Sequence, residues 1–339
     1  MARASCLLLY GFTVTIAAAG VLGSVLPGCS PPGPETATTN LRIAVAREPL
    51  AALLILAAEQ GYLDDEGVAA QIEDAYPSGK RALQGLLDGD VDLAPCAEAP
   101  IVFQSFDHDD LRIVATIGTS DTEPKIVARR DAGIEEPQDL RGKRVATQRA
   151  SAVHYFLHLF LLRHGMSEGD VELSFLKAEE LAAALAEGTI DAFSMRDPFV
   201  TEAEQKLGDT AVVFAEPGLY VKTFNLVTSD QLAASSPEAI EAVLRALVRA
   251  EEFARHDPEA AISIVARQLQ LEESELADVW GELDLRVSLG QGLLAALEDE
   301  ARWAVKGGFT EAEKPPNFLE FLEPGPLEEV RPAAVTLVH

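Results

Sequence analysis

Between Asp139 and Phe199 the chain twice runs a short apolar strand straight into a helix, first through the corner Gln148-Arg149-Ala150-Ser151 and again through Met195-Arg196-Asp197-Pro198. Strands that alternate with helices of this length predict βαβ units and a mainly parallel sheet, which leaves an α/β fold as the architecture open to such a chain. A helix that opens at such a corner has N–H groups without intrahelical partners, so the corner is a place where small ligands sit. A chain that repeats the device is built to hold something small.

The rest of the sequence follows the same grammar. Leu41–Val45 reads as a first strand, Pro49 stands at a helix N1 position, and the apolar helix Leu50–Gln60 ends at Gly61. A second strand is expected near Ala70–Ile72, then a corner at Tyr76-Pro77-Ser78-Gly79-Lys80 and a helix with Leu83, Leu86 and Leu87 on one face. Val91–Ala94 is a strand expected to turn at Pro95-Cys96-Ala97-Glu98. Leu111–Ile117 and Lys125–Ala128 flank Gly118-Thr119-Ser120-Asp121, and Val153, Phe156, Leu157, Phe160 and Leu161 form a helical stripe. Phe224–Thr228 is one more strand. Beyond Pro237 the pattern is helical over Glu238–His256, Pro258–Gln270 and Gly290–Val305, and from Pro315 a loop-rich tail ends in the apolar Ala333–Val338. A length of 339 residues suits two domains of ordinary size. We expect one lobe from residues 41–118 plus 223–339, completed by the C-terminal helices, and a second lobe from residues 119–222.

The N-terminus reads as a leader. Arg3 precedes an apolar run from Leu7 to Leu26, closed by Pro27-Gly28-Cys29, and a basic residue, an apolar segment and small residues before a cleavage point make an export signal. Leu26-Pro27-Gly28-Cys29 is similar to a bacterial lipoprotein cleavage box, although Pro27 departs from the small or β-branched residue usual there. Residues 1–28 are therefore expected to be a signal peptide, with Cys29 lipidated and residues 29–40 a flexible, Pro- and Thr-rich tether. The same run also reads as an uncleaved anchor helix. Either way the body of the protein belongs outside the cytoplasm, in the cell envelope on the extracytoplasmic face of a membrane. Of three cysteines, Cys6 falls in the leader and Cys29 at its end, so Cys96 is left without an internal disulfide partner. The core must hold the fold.

Charge narrows the partners. With 27 Lys and Arg against 55 Asp and Glu the net charge is −28, which argues against nucleic acid, since phosphate binding needs a basic surface. A solvated acidic surface is the plain reading of that charge.

Several stretches together resemble the solute-binding proteins of the nitrate/sulfonate/taurine and thiamine-precursor (NMT1/THI5-like) transporter group. They are Gly61-Tyr62-Leu63 with Glu66-Gly67, then Ser78-Gly79, Ala82-Leu83, Leu86, Gly89 and Asp92. Leu140, Gly142-Lys143-Arg144-Val145, Gly188, Asp191-Ala192 and Pro198-Phe199 continue it, and Pro315-Pro316-Asn317, Leu327, Val330-Arg331-Pro332 and Val335 close it. The resemblance implies a periplasmic-binding-protein fold of the type II kind, two α/β lobes joined by two crossover strands. It further implies a monomer that closes over one small molecule without a cofactor, docks to an ABC permease with its ATPase, and is held at the membrane by its N-terminal lipid. A ligand that touches both lobes stabilises the closed state.

The candidate ligand residues each carry a structural alternative. Ser78 and Ser151 precede helices and serve as N-caps whether or not a ligand is present; the resemblance places a Ser or Thr at position 151 against the ligand. Gly79 lets backbone approach closely. Arg149 and Arg196 offer planar cations suited to carboxylate, sulfonate or phosphate, and Arg196 stands where relatives often have an aromatic residue, which favours an anion over a stacked heterocycle. Asp197 before Pro198 reads as a cap. Glu98 is a carboxylate that pairs an amine or one of those arginines, so Arg149, Arg196 and Glu98 together suit a zwitterion. Arg47 and Glu48 add an opposite-sign pair at the first corner, and Ser120 lies at the expected crossing. His154 and His158 have a zinc-compatible spacing but no third ligand at motif distance, so they read as core or surface histidines and no metal is expected.

No P-loop, GxSxG or Cys/His motif is present, so an enzyme is not expected. A solute-binding lipoprotein for a sulfonate, taurine or nitrate is the leading reading. Uptake of a thiamine-related pyrimidine, and a sensory or partner-docking lipoprotein with the same fold, are the alternatives.

Overall fold

The computed structural model describes residues 39–338. The leader, Cys29 and the tether as far as residue 38 lie outside the described residues. Thr39 and Asn40, counted with the tether above, instead open the first strand and pair with Val68 and Ala69.

The chain begins with β1 (Thr39–Ala46), α1 (Ala52–Glu59), α2 (Tyr62–Asp65), β2 (Val68–Tyr76), α3 (Gly79–Leu87), β3 (Leu93–Ala97), α4 (Glu98–Gln104) and β4 (Leu111–Ser120). It continues through β5 (Lys125–Arg129), β6 (Arg144–Thr147), α5 (Ala152–Arg163), β7 (Glu172–Phe175), α6 (Ala178–Glu187), β8 (Ala192–Met195), α7 (Phe199–Leu207) and β9 (Ala211–Phe214). It returns along β10 (Lys222–Ser229) to α8 (Asp230–Ser235), α9 (Pro237–His256), α10 (Pro258–Leu269), α11 (Glu273–Trp280) and α12 (Gln291–Lys306).

Two five-stranded sheets result, ordered β2-β1-β3-β10-β4 and β7-β6-β8-β5-β9. In the first, β1 runs parallel to β2 and β3 while β10 is antiparallel to β3 and β4. In the second, β6 runs parallel to β7 and β8 while β5 is antiparallel to β8 and β9. The chain leaves the first sheet along β4 and re-enters along β10, so two adjacent strands connect the lobes. Two strands run further than their sequence suggests. β3 continues through Pro95 to Ala97, because by then it pairs with β10 and has parted from β1 at Leu93. β4 continues through Gly118 to Ser120, where β10 pairs with it up to Lys222.

Both lobes use the same bolt. In the first, the backbone N–H and guanidinium of Arg42 on β1 donate to the Asp92 carboxylate, and a further guanidinium N–H reaches the Gly89 carbonyl. In the second, Arg144 on β6 does the same with Asp191 and the Thr189 carbonyl. Each bolt follows a helix that ends in a left-handed glycine, Gly89 at φ +77° and Gly188 at φ +72°, a conformation that costs other residues strain. The helix–Gly–Asp pattern thus fixes the entry of a central strand against its parallel neighbour.

Packing explains the helices. α1 is buried from Ala52 to Ala57, since it lies between the sheet and the helices α9 and α10. On α9 the buried Ile240, Val243, Leu244, Leu247, Ala250 and Ala254 recur at helical spacing. The second sheet is covered by Phe156 and Phe160 of α5 on one face and by Leu181, Leu185 and Val200 of α6 and α7 on the other. α12 completes the first lobe and also reaches the second. Its Leu293, Leu294 and Leu297 join the first core, but Trp303 and Ala304 belong to the second, with the Trp303 ring 5.2 Å from that of Tyr155.

Candidate functional site, a cleft between the lobes

A cleft of about 710 Å³ opens between the lobes where the strand-to-helix corners face one another. The first lobe supplies Ser78 and Lys80 from the start of α3, and the second supplies Gln148–Ser151 and Met195–Arg196. Phe103 and Phe199 give the cleft apolar walls, and Glu48, Glu123 and Lys222 meet in it.

These last three form one network. The Lys222 ammonium donates to Glu48 Oε2 at 3.0 Å and to Glu123 Oε2 at 2.8 Å, and its side chain is only 6% exposed. Glu48 Oε1 accepts the Gly79 N–H at 2.9 Å. Burial acts to raise the Glu48 pKa, but the charges of Lys222 and Arg196 and the Gly79 N–H outweigh it and hold the carboxyl at about 2. Burial acts to lower Lys222, and the two carboxylates outweigh it, so the ammonium stays charged well above its ordinary range.

At the second-lobe corner the Ser151 hydroxyl donates to the Gln148 carbonyl at 2.6 Å and accepts the His154 N–H at 3.4 Å. It lines the cleft while capping α5. Ala150 beside it has φ +53°, a left-handed conformation that disfavours a Cβ and persists where its surroundings fix it. Its N–H donates to His154 Nδ1 at 3.3 Å. The other ring nitrogen, Nε2, faces Glu168 Oε1 at 3.6 Å. His158 Nδ1 lies 3.3 Å from the same oxygen and the Trp303 indole donates to it at 3.2 Å. Burial would raise Glu168, but these partners hold it well below the carboxylate range. The histidine pair ties α5 to Glu168 and α12. Among the described residues no group of three or more His, Cys, Asp or Glu is arranged to hold a metal ion.

The cleft brings together five of the residues the sequence pointed to: Glu48, Ser78, Arg149, Ser151 and Arg196. The other candidates within the described residues lie away from its lining. Arg47 turns to a separate cavity of about 380 Å³ beside Glu59 and Arg267. Gly79 is buried behind the corner, where a Cβ would stand 3.0 Å from the Cys96 Cα and from the Phe224 ring. Ser120 is buried, its hydroxyl against that of Thr122. Asp197 accepts from the Thr201 N–H and hydroxyl and pairs with Lys125 at 3.3 Å, a cap for α7. Glu98 is fully buried and accepts from Tyr220, the Thr223 N–H and the Thr223 hydroxyl. The zwitterion set of Arg149, Arg196 and Glu98 is therefore not assembled in the cleft. Sequence reasoning missed Lys80, Phe103, Glu123, Phe199 and Lys222 as lining groups. A lysine opening the apolar run TFNLV at the expected crossing was the available signal.

Two α/β lobes, two connecting strands and a cleft lined by helix N-termini from both sides define the periplasmic-binding-protein class, type II. The chain belongs to the NMT1/THI5-like family, whose model matches residues 48–261. It is 25% identical over 199 residues to a putative aliphatic sulfonates-binding protein of Escherichia coli strain K12, covering 58% of this chain and 61% of that protein. It is also 25% identical over 182 residues to the taurine-binding periplasmic protein of the same strain, covering 52% of this chain and 55% of that one. Among solved structures, the periplasmic aliphatic sulphonate binding protein of Escherichia coli superposes with a TM-score of 0.70 at 20% identity, over 84% of this chain and 92% of that one. Among the described residues no helix is long and apolar enough to cross a membrane.

Proposed function

We propose that the chain is the extracytoplasmic solute-binding component of an ABC importer and that its lobes close over a small organic anion, an alkyl or aryl sulfonate fitting the cleft best. The observation that carries this reading is a set of cations that line the cleft outside any direct ion pair. Lys80 on the first lobe and Arg149 and Arg196 on the second line the cleft, and none of the three forms an ion pair among the described residues. An anion bridging them would be held from both sides, which is what favours closure. Arg149 also lies 5.6 Å from the Phe175 ring and 5.8 Å from that of Phe309, which fixes its direction.

Two of the cleft's carboxylates are already engaged, and its walls are partly apolar. Glu48 and Glu123 share the Lys222 ammonium, Glu179 also lines the cleft, and Phe103 and Phe199 suit an apolar body. The overall charge of −28 does not oppose this, because screening confines that field to about 8 Å at physiological salt. The division into lobes at residues 118–119 and 222–223, the permease and ATPase partner, and lipid attachment at Cys29 belong to the same proposal. The cleft is a binding site rather than a catalytic one: Ser78 and Ser151 are engaged as caps and Cys96 is fully buried.

A thermal-shift panel of alkanesulfonates, taurine, nitrate, amino acids and a thiamine-type pyrimidine tests the ligand class. Stabilisation by alkanesulfonates above taurine, lost in Arg196→Ala, is the expected result. Stabilisation by the pyrimidine alone, or a sulfonate shift unchanged in Arg196→Ala, overturns it.

A further inference from the structure

A second carboxyl pair lies beneath the cleft and takes no part in the binding reading above. Glu300 on α12 is 1% exposed, and neither of its oxygens has a hydrogen-bond donor within reach. It faces Glu98 at the start of α4, against which α12 packs. Glu98 is well supplied: Oε1 accepts the Tyr220 hydroxyl, and Oε2 accepts the Thr223 N–H at 2.7 Å and the Thr223 hydroxyl at 2.9 Å. An ionised carboxylate can only accept, so two ionised groups here would leave Glu300 buried with no partner at all. A protonated Glu300 supplies the missing donor itself, and Glu98 Oε1 keeps a lone pair free to receive it.

We propose that Glu300 is a positioning residue whose carboxylic acid O–H donates a hydrogen bond to Glu98, pinning the returning strand so that Lys222 is presented to the cleft. The strand is gripped on both sides of that lysine, at Tyr220 and at Thr223. Tyr220 in turn meets Tyr155 of α5, their ring centres 6.0 Å apart, so the pair stands where both lobes and both returning elements converge. The inference rests on the cleft reading only for the purpose of Lys222.

The groups around the pair agree. Burial pushes Glu300 far above the carboxylate range and the neighbouring Glu98 pushes it further. Glu98 is raised by burial and partly restored by its N–H and Thr223 donors and by the Lys222 charge, so it ionises first. Burial, Glu300 and Asp299 raise the Tyr155 phenol against the opposing Arg302, which leaves Tyr155 neutral. Cys96, raised by burial and by Glu48 and Glu98, is neutral as well. Lys222 is the cation that acts on the pair.

The sign follows from the raised pKa. The folded state holds a proton that the unfolded chain releases above the ordinary carboxyl range, so stability is greatest below that range and falls as pH rises. The test needs no ligand, so its failure is separable from failure of the proposed function. Infrared spectra of the wild type at neutral pH should show the C=O stretch of a protonated carboxylic acid, absent in Glu300→Gln. Above pH 5 the unfolding constant of the wild type should rise up to about tenfold per pH unit more steeply than that of Glu300→Gln, the signature of one retained proton. Hydrogen exchange at the Thr223 N–H separates positioning from simple packing: protection should survive in Glu300→Gln, which keeps a donor, and fall at least tenfold in Glu300→Leu. Absence of the acid band in the wild type overturns the proposal even if a variant fails to fold. Parallel pH curves, or equal Thr223 protection in the two variants, do so as well.

Discussion

Replacing Lys222 by Met tests the network on which the cleft is built. The ammonium is 6% exposed, and the carboxylates it holds, Glu48 and Glu123, are 15% and 21% exposed. Removing one partner of a buried ion pair costs about 3–5 kcal/mol, because the charges left behind lose their compensation. An independent route gives a similar figure. Glu48 is held at about 2 against an ordinary 4.5, and at about 1.4 kcal/mol per pH unit this represents about 3 kcal/mol of stability at neutral pH. Arg196 and the Gly79 N–H share that effect, but Lys222 also holds Glu123, so the lower end of the ion-pair range, about 3 kcal/mol, is the expected loss for Lys222→Met. Because the folded pKa is depressed, this stability is complete above pH 4.5 and disappears as pH falls towards 2. Urea unfolding of wild type and Lys222→Met at pH 7 and again near pH 3 measures it. The gap should be wide at the first pH and narrower at the second, and Glu48→Gln combined with Lys222→Met should recover part of the loss. A gap under 1 kcal/mol at neutral pH, or one that does not change with pH, would refute the reasoning.

Other expectations follow from single contacts. Ser151→Ala removes the cap of α5 and should cost about 1 kcal/mol by chemical denaturation, whether or not ligand is present. Ala150→Gly relieves a left-handed alanine at φ +53° and, after the greater freedom glycine gives the unfolded chain, should gain about 0.5–1 kcal/mol. Asp92→Ala and Asp191→Ala each unfasten one bolt, so each should lower the thermal midpoint by a comparable amount, with hydrogen exchange rising first in the lobe that carries the change.

The fold was legible because its signals are local and repeated. Gly89 with Asp92 and Gly188 with Asp191 stand out in the sequence, and the structure supplies the reason: each aspartate fastens an arginine about fifty residues upstream. The ends of β3 and β4 were not legible, because Pro95 and Gly118 look like turn residues and only the partner strand β10 keeps them extended. The same limit applies to the cleft. The corners at Ser78, Ser151 and Arg196 could be read from caps and helix starts, whereas the fate of each carboxylate depends on residues far along the chain. Glu98 follows a strand just as a ligand residue would, yet Thr223, 125 residues away, draws it into the core. Glu48 reads as half of a surface pair with Arg47, yet its partner is Lys222, 174 residues away. Trp303 gave no local sign that α12 would reach the second lobe.

The central claim is that the cleft binds an anion between cations of both lobes. Calorimetric titration of an alkanesulfonate into wild type and into Lys80→Ala, Arg149→Ala and Arg196→Ala tests it most directly, since removal of a charge-assisted contact should weaken binding by at least about tenfold. The account predicts that weakening in variants from both lobes, with an enthalpy that falls as contacts are lost. Binding that is unchanged in all three, or absent in the folded wild type, would contradict it.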